Sequence, residues 1–526
     1  MTTSRDRASA ITPEERDRLL APLANQPLAL CVSGGPDSMT LMHLVAEWAS
    51  AKLHNAVPDT AAPFRPLEPP TGPTAVTNRP NANAVSPGQL AAEGGVRPIV
   101  VLTIDHGLRP EAAAEARFVA DAADKLGLPC LILTVDEPLP VTGIQEWARG
   151  LRHRLMLEVL DGERQRSREM GWRHHPVERC LVMAHHRDDQ AETVLMRLAR
   201  GSGLEGLAGM RPRQSITTPA TAARPHSITA EVCRPFLDIP KSRLLATVSD
   251  RAIACIDDPT NTDARFERVR VRTAMTVLAE LGVSAEAIAR SARRLREAHQ
   301  ALDRFEVSWL AANIDWHQGL MAQVPAEALA ASSGPASLAR VLERLLAAQG
   351  GSARRAERAQ IEALAEDVIH RRAVGWTLGG CRIEWGVEPG GALSVWREAG
   401  ASALPVMTIE PGQDISWDGG RFTVSADRSA SGTAIIRALG PQAWSRLKRT
   451  VDGLDELRLR ADAMAVLPAI WEGEDLIGLP WLDSRLLAPG CTLKAGKAWR
   501  AYRNGAGDMY GARFTGNRAV QTDEPA

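Results

Sequence analysis

Through the first half of the chain, short unbroken apolar runs alternate with stretches of helical period. Leu28-Ala29-Leu30-Cys31-Val32, Ile99-Val100-Val101-Leu102-Thr103-Ile104, Cys130 to Val135 and Cys180-Leu181-Val182-Met183-Ala184 read as strands apolar at nearly every position, as strands covered on both faces are. After the first, Met39, Met42 and Val45 with Leu41, Leu44 and Trp48 recur at helical spacing, and further helices are predicted from about Glu111 to Leu126 and from about Gly143 to Leu160. The alternation predicts parallel βαβ units with right-handed crossovers. Residues 50–97 interrupt it. They are rich in Pro, Ala, Asn and Gly, lack periodicity, and predict a disordered insertion. From Arg234 the alternation stops: Lys241 to Ala254 reads as a helix, Val283 to about Ala311 as a long one, and helical pattern continues to about Ile369. Alternation broken by Gly and Pro over Trp376 to Trp396, Met407 to Val424 and Leu467 to Leu479 predicts a β-rich part. The expected division is an α/β domain over 1–245, a helical one over 246–370, a β-rich one over 371–505 and a flexible tail over 506–526.

Composition narrows this picture. A length of 526 residues suits two to four domains. Lys+Arg 62 against Asp+Glu 63 leaves a net charge of -1, so a nucleic-acid site would have to be local. The 7 cysteines are scattered without a Cys-x-x-Cys pair, which argues against a zinc ribbon or iron–sulfur cluster. Met1 to Arg7 is charged rather than apolar and no run has transmembrane length, so a cytoplasmic protein without a membrane partner is expected.

Three strands end in polar clusters, the edge at which open α/β sheets bind ligands: Ser33 to Ser38, Asp105 to Arg109 and His185 to Thr193. The first, Ser33-Gly34-Gly35-Pro36-Asp37-Ser38, sits between a strand and a helix. Its glycines allow a sharp turn, and the N–H groups opening the helix suit phosphate oxygens. No Gly-Lys-Ser/Thr follows, so it is not a Walker loop. It resembles the pyrophosphate loop of the N-type ATP pyrophosphatases, Ser-Gly-Gly-x-Asp-Ser, which split ATP between its α and β phosphates.

Asp188 and Asp189 are placed to cap a helix, or to reach a Mg²⁺ or an amine. The adjacent His185 and His186 on an extended strand end point in opposite directions, which argues against a zinc site. On the predicted third helix Gln145, Arg149 and Arg152 share a face, with Glu146 beside them. Together these stretches resemble the tRNA(Ile)-lysidine synthetase family. His185 to Thr193 with Arg200-Gly201-Ser202-Gly203 is similar to its His-x-x-Asp-Asp-Gln-x-Glu-Thr motif, and Asp105 to Arg109 to its Val-Asp-His-Gly-Leu-Arg pattern. Gln145 to Arg152 is similar to its Gln-x-x-Ala-Arg-x-x-Arg helix. Asp257 to Asp263 followed by Arg268, Arg270 and Arg272 is similar to its Glu-Asp-Pro-Ser/Thr-Asn-x-Asp and Arg-Asn-Arg-x-Arg signature, with Asp257 and Val269 as departures.

The resemblance implies a Rossmann-like parallel sheet of the N-type ATP pyrophosphatase kind, and a carbon–nitrogen ligase. ATP would adenylate C2 oxygen of the wobble cytidine in the CAU anticodon of isoleucine tRNA, and free L-lysine would then displace AMP to give lysidine. Ser33, Gly34, Gly35, Pro36, Asp37 and Ser38, with His106 and Arg109, would bind ATP. Asp37, Glu146 and Asp189 would be catalytic, with Asp37 and Asp189 holding Mg²⁺. Gln145, Arg149, Arg152, Asp188, Arg200, Arg268, Arg270 and Arg272 would contact lysine or tRNA. A homodimer stays open. The alternatives are a tRNA cytidine 2-thiolase, which would want paired cysteines, and a non-catalytic nucleotide-binding regulator.

Overall fold

The computed structural model describes residues 8–24, 26–54, 76–78, 99–105, 107, 111–135, 150–151, 154–159, 180–218, 228–257, 265, 267–317, 321–331, 334–351, 356–386, 391–427, 432–450, 460–481 and 499–503. The chain splits into two compact units, Met1–Thr218 with Ile228–Gln300, and Pro219–Ser227 with Ala301–Ala526.

In the first unit, helix α1 (Pro13–Leu20) and a 3-10 turn lead into strand β1 (Leu28–Cys31) and helix α2 (Pro36–His54). Then follow β2 (Val76–Asn78), β3 (Ile99–Asp105), helix α3 (Ala112–Lys125), β4 (Cys130–Thr134), β5 (Cys180–Val182), helix α4 (Arg187–Ala199) and the short helix α5 (Leu204–Leu207). Strands β6 (Arg213–Thr218) and β7 (Ile228–Cys233) precede helices α6 (Lys241–Asp250), α7 (Glu267–Glu280) and α8 (Ala285–Asn313), of which residues 301–313 belong to the second unit. The sheet order is β2-β4-β3-β1-β5-β7-β6. The five inner strands are parallel, and the two edge strands run antiparallel to their neighbours.

Both faces of the sheet are covered along β1, β3, β4 and β5, which is why those strands are mostly apolar. Leu28, Leu30, Val101, Cys180 and Val182 pack on one side with Leu41 and Leu44 of α2 and Val119 of α3. Ala29, Val100, Leu102 and Leu181 pack on the other with Leu155 and Met156 from a helical segment at 154–159.

The four predicted strands are present, with two differences in the rest of the sheet. Strands β6 and β7 are not predicted: in edge strand β6 Arg213, Gln214 and Ser215 are exposed, and inner strand β7 carries Thr229 and Glu231, so neither gives an apolar run. Within the predicted insertion, α2 continues to His54 and Val76–Asn78 pairs with β4; the rest of 50–97 lies outside the described residues. Helix α6 ends at Asp250, four residues short of the expected Ala254, where Ala252 takes a positive φ of 49°.

The second unit is β-rich and antiparallel. Its five-stranded sheet, in the order β10-β11-β12-β9-β8, contains β8 (Asp315–His317), β9 (Met321–Val324), β10 (Gly375–Leu378), β11 (Cys381–Trp385) and β12 (Leu393–Arg397). Strands β8 and β9 fall in the stretch read as helical; at three and four residues they are too short to show an alternation. Four- and three-stranded sheets follow from 407 onward, around Trp417, Phe422, Trp444 and Ile470. A buried triad, Arg397, Asp418 and Arg421, fixes the Asp418 turn: Arg397 Nε donates to Asp418 Oδ2 at 3.2 Å, and Arg421 Nη1 lies 3.5 Å from the same oxygen.

Helix α1 is held by charge as well as by its Thr12–Glu15 capping box. Arg243 of α6 donates to both Glu15 oxygens, at 2.9 and 2.5 Å, and Arg251 donates to Glu47 of α2 at 2.7 Å. The hydrogen bond from Arg243 leads the causes that hold the Glu15 carboxyl at about 2, below its ordinary 4.5. A carboxyl depressed on folding adds stability that is complete above its unfolded value and is lost as pH falls through the folded one. Unfolding in urea should therefore show a loss of about 1 kcal/mol between pH 4.5 and pH 2 that Glu15→Gln removes, the size being reduced because the pair lies near the surface. An identical acid profile in the variant would assign that loss elsewhere.

Candidate functional site

The sequential connection β1, β3, β4 runs to one side of β1, and β5 then pairs on its other side, so the C-terminal ends of β1 and β5 flank the point where strand order reverses. In open α/β sheets that crevice takes the ligand. The Ser33–Ser38 loop leaves the end of β1 and the His185–Thr193 motif leaves the end of β5.

Gly34 turns the loop with a φ of 87°, and a Cβ there would collide with the side chain of Ile256, whose N–H donates to the Gly34 carbonyl at 2.9 Å. The conformation is what calls for glycine, and any larger residue would in addition have to displace the Ile256 side chain. Ser38 closes the turn from inside: its Oγ accepts from the Ser33 N–H at 3.2 Å and donates to the Gly35 carbonyl at 3.0 Å. Asp37 stands in the first turn of α2, where the helix dipole favours a carboxylate.

The motif supplies the other wall. His186, 1% exposed, is the N-cap of α4: its Nδ1 accepts from the Asp189 N–H at 3.3 Å, and the Asp189 carboxylate accepts from the His186 N–H at 3.1 Å. The expectation that Asp188 or Asp189 would be the cap is thus shifted by two or three residues; Asp189 is the reciprocal acid of a capping box. An accepting Nδ1 leaves the imidazole proton on Nε2, which lies 3.5 Å from Asp37 Oδ2 and 3.4 Å from Asp189 Oδ2. Asp188 instead accepts the N–H that opens α6, Lys241 N to Asp188 Oδ2 at 2.9 Å, and Lys241 Nζ lies 3.5 Å from Asp37 Oδ2. Burial drives the Asp37 carboxyl upward, but the His186 hydrogen bond and the charges of His186 and Lys241 outweigh it and the net shift is downward. Burial likewise drives His186 downward, and its hydrogen bond to Asp37 with the charges of Asp189, Asp37 and Asp188 carries it above its ordinary value.

Behind this centre, Glu192 is buried and holds two arginines of α7. Arg268 Nε donates to it at 2.6 Å and Arg272 Nε at 2.8 Å, while Arg268 Nη2 reaches Asp189 Oδ1 at 2.8 Å. Arg268 and Arg272, four residues apart, share the face turned to α4; Arg270 lies off that face and donates to the Arg265 carbonyl at 2.8 Å. Arg200 pairs with Glu267 at 2.5 Å. Gln190 belongs to the scaffold: its amide exchanges hydrogen bonds with the backbone of Met210, at 2.7 and 3.0 Å.

The structure thus brings together Ser33, Gly34, Asp37, Ser38, Asp188, Asp189, Arg268 and Arg272. It adds His186, Lys241 and Glu192, of which only Glu192 carried a motif signal. His106, Arg109, Gln145, Glu146, Arg149 and Arg152 lie outside the described residues, as do Asp258 to Asp263. Among the described residues, the side chains close enough to share a metal ion are Cys180, Glu231 and Cys233, away from this centre, where Arg213 already pairs with Glu231 at 2.8 Å. Among them, too, no helix is long and apolar enough to cross a membrane.

A parallel sheet with a Ser-Gly-Gly-x-Asp-Ser turn at its switch point defines a PP-loop domain, and residues 85–279 match the PP-loop domain family. Three curated relatives, all tRNA(Ile)-lysidine synthases, extend the likeness. That of Methylobacterium nodulans is 40% identical over 54% of this chain and 64% of its own length, and that of Methylobacterium sp. strain 4-46 is 37% identical over 59% and 85%. That of Ruegeria pomeroyi is 29% identical over 88% and 91%. The chain belongs to the tRNA(Ile)-lysidine synthase family. Against the Methylobacterium nodulans and Rhodopseudomonas palustris relatives its match spans 64% and 66% of their length.

Glu192→Ala would leave two arginines without their shared carboxylate and loosen α7 from α4. A loss of about 2 kcal/mol is expected, less than for a fully buried pair because both arginines are partly exposed. Urea unfolding measures it; a variant as stable as the parent would mean that these bonds contribute nothing net.

Proposed function

We propose that this chain is an ATP-dependent carbon–nitrogen ligase that joins L-lysine to C2 of the wobble cytidine in the CAU anticodon of isoleucine tRNA. The observation that carries the reading is the 3.5 Å approach of the loop carboxylate Asp37 to His186 of the motif, which makes one centre of two distant segments. Family membership supports this choice of substrates, and the chemistry accounts for the residue types.

The Ser33 to Ser38 turn and the start of α2 offer N–H groups to the departing pyrophosphate, meeting charge that grows as the α–β bond breaks. Asp37 Oδ1 is buried without a hydrogen-bond partner, and a Mg²⁺ ion, which takes carboxylate oxygens and keeps several waters, fits that atom. Bound there, the ion would supply positive charge to the phosphate oxygens. Asp189 is less free to hold it, since its two oxygens already accept from Arg268 and from the His186 N–H. The cytosine must leave the stack of the anticodon loop to be adenylated at O2. Lysine then binds as a cation and attacks C2 as a neutral amine, so an acidic side chain has to hold the ammonium and help remove its proton. Asp188 and Asp189 are candidates among the described residues, and Glu146 is the candidate outside them.

The test is release of pyrophosphate from ATP by the full chain with unmodified isoleucine tRNA, with and without lysine, together with mass analysis of the anticodon nucleoside. Lysine-dependent formation of lysidine is expected, and none with folded protein would sink the reading. Asp37→Ala should lower the rate by about 100-fold or more while leaving the fold intact. Unchanged turnover would remove Asp37 from the reaction.

A further inference from the structure

On β7, Glu231 and Cys233 stand either side of Val232, so both side chains leave the same face of the sheet. The register places Cys180, the first residue of β5, directly opposite Glu231, and Arg213, the first residue of β6, directly opposite Cys233. Three strands thus bring two thiols, a carboxylate and a guanidinium to one patch. The two sulfurs and a Glu231 oxygen all lie within 4.8 Å of one another. Both cysteines are free thiols, Cys180 0% and Cys233 2% exposed, while the Glu231 side chain is 27% exposed and that of Arg213 42%. The thiols are covered, and the carboxylate gives the cluster its opening to water.

A disulfide does not fit this register. With a rise of about 3.3 Å per residue and a strand spacing of about 4.8 Å, residues two steps out of register on neighbouring strands have Cα atoms about 8 Å apart, and a disulfide needs less than about 7 Å. A shared ion asks less of the backbone. Tetrahedral zinc, with Zn–S bonds of about 2.3 Å, holds its sulfurs about 3.8 Å apart, a separation that rotation of the side chains reaches from the one observed. Charge fits as well. Two thiolates and a carboxylate around a divalent ion leave a single negative charge, and Arg213, which donates to Glu231 at 2.8 Å and to the Pro22 carbonyl at 2.6 Å, stands beside the cluster to balance it.

We propose that Cys180, Cys233 and Glu231 form a binding site for a thiophilic divalent ion of the zinc class, a staple between β5 and β7 separate from the Asp37 centre. Binding replaces two S–H bonds by two metal–sulfur bonds and releases two protons to solvent, while the three side chains displace waters from the ion and one water keeps its fourth place. No electron is transferred. The bound ion fixes the strand that ends in the His186 motif to the strand that leads to α6.

The experiment titrates the full chain, reduced and stripped of metal, with zinc against a chromophoric chelator and with cobalt as a spectroscopic stand-in, beside Cys180→Ala, Cys233→Ala and Glu231→Gln. The parent should take up one ion per chain, show sulfur-to-cobalt charge-transfer absorption, and rise in Tm with added zinc. Each cysteine variant should bind zinc about 100-fold more weakly with a diminished charge-transfer band, and Glu231→Gln about 10-fold more weakly. A parent that takes up no zinc, or equal affinity and spectrum in parent and both cysteine variants, overturns the inference. Should the cysteine variants not fold, X-ray absorption of the zinc-loaded parent decides: two sulfur neighbours at about 2.3 Å are expected, and fewer than two overturn the site. None of these measurements uses ATP, tRNA or lysine, so the ligase reading and this site stand or fall separately.

Discussion

A buried imidazole has to satisfy both of its nitrogens, and in this protein that requirement joins the two halves of the site. His186 caps its own helix through Nδ1 and turns Nε2 to Asp37, so the motif after β5 cannot take its place without the loop after β1 being in position. The ion-pair geometry alone would be worth little at a surface. Here His186 is fully covered and Asp37 is largely so, and an unpartnered nitrogen or carboxylate would bear a full desolvation cost. The contact therefore acts as a condition on the fold more than as an added stabilisation.

Around that contact the motif and the helix it opens divide into chemistry and scaffolding. Gln190 spends its amide on Met210, Arg197 donates to the Gly206 and Gly209 carbonyls, and Glu192 gathers Arg268 and Arg272. None of these groups needs a ligand to be satisfied. Asp37 keeps one oxygen unpartnered and Lys241 keeps part of its surface exposed, and those are the groups with capacity left for a substrate. A motif of nine residues thus spends most of its length on positioning a few atoms.

How far the sequence revealed this depended on how local each signal was. Strands β1, β3, β4 and β5 were legible because burial on both faces leaves mostly apolar residues, and α2 and α3 because their apolar positions repeat at helical spacing. Edge strands such as β6 face water along one side and mix Arg, Gln, Ser and Thr with a single Ile, so no run or alternation marks them. Strands β8 and β9 are shorter than any period can establish. In the site, the Ser33 to Ser38 turn and the Asp188-Asp189 pair were legible because their chemistry is contiguous. Lys241 was not, since nothing near it in sequence points to Asp37; its place is set by two carboxylates contributed by residues 37 and 188. The cap on α4 was misplaced for a similar reason, a histidine doing there what aspartate or serine more often does.

The register of β1 has a further consequence, for the order of events during synthesis. Leu28 pairs with Ile99 on one side and with Cys180 on the other, and β5 in turn pairs with β7 up to Cys233. The glycine turn is thus made early on the ribosome but ends a strand paired on one side only until β5 has emerged. Non-local parallel pairing of this kind is slow, because loop closure precedes any reward from contact. A nascent chain halted before β5 would present the turn without the histidine that meets Asp37, so the centre is complete only once translation has passed the motif.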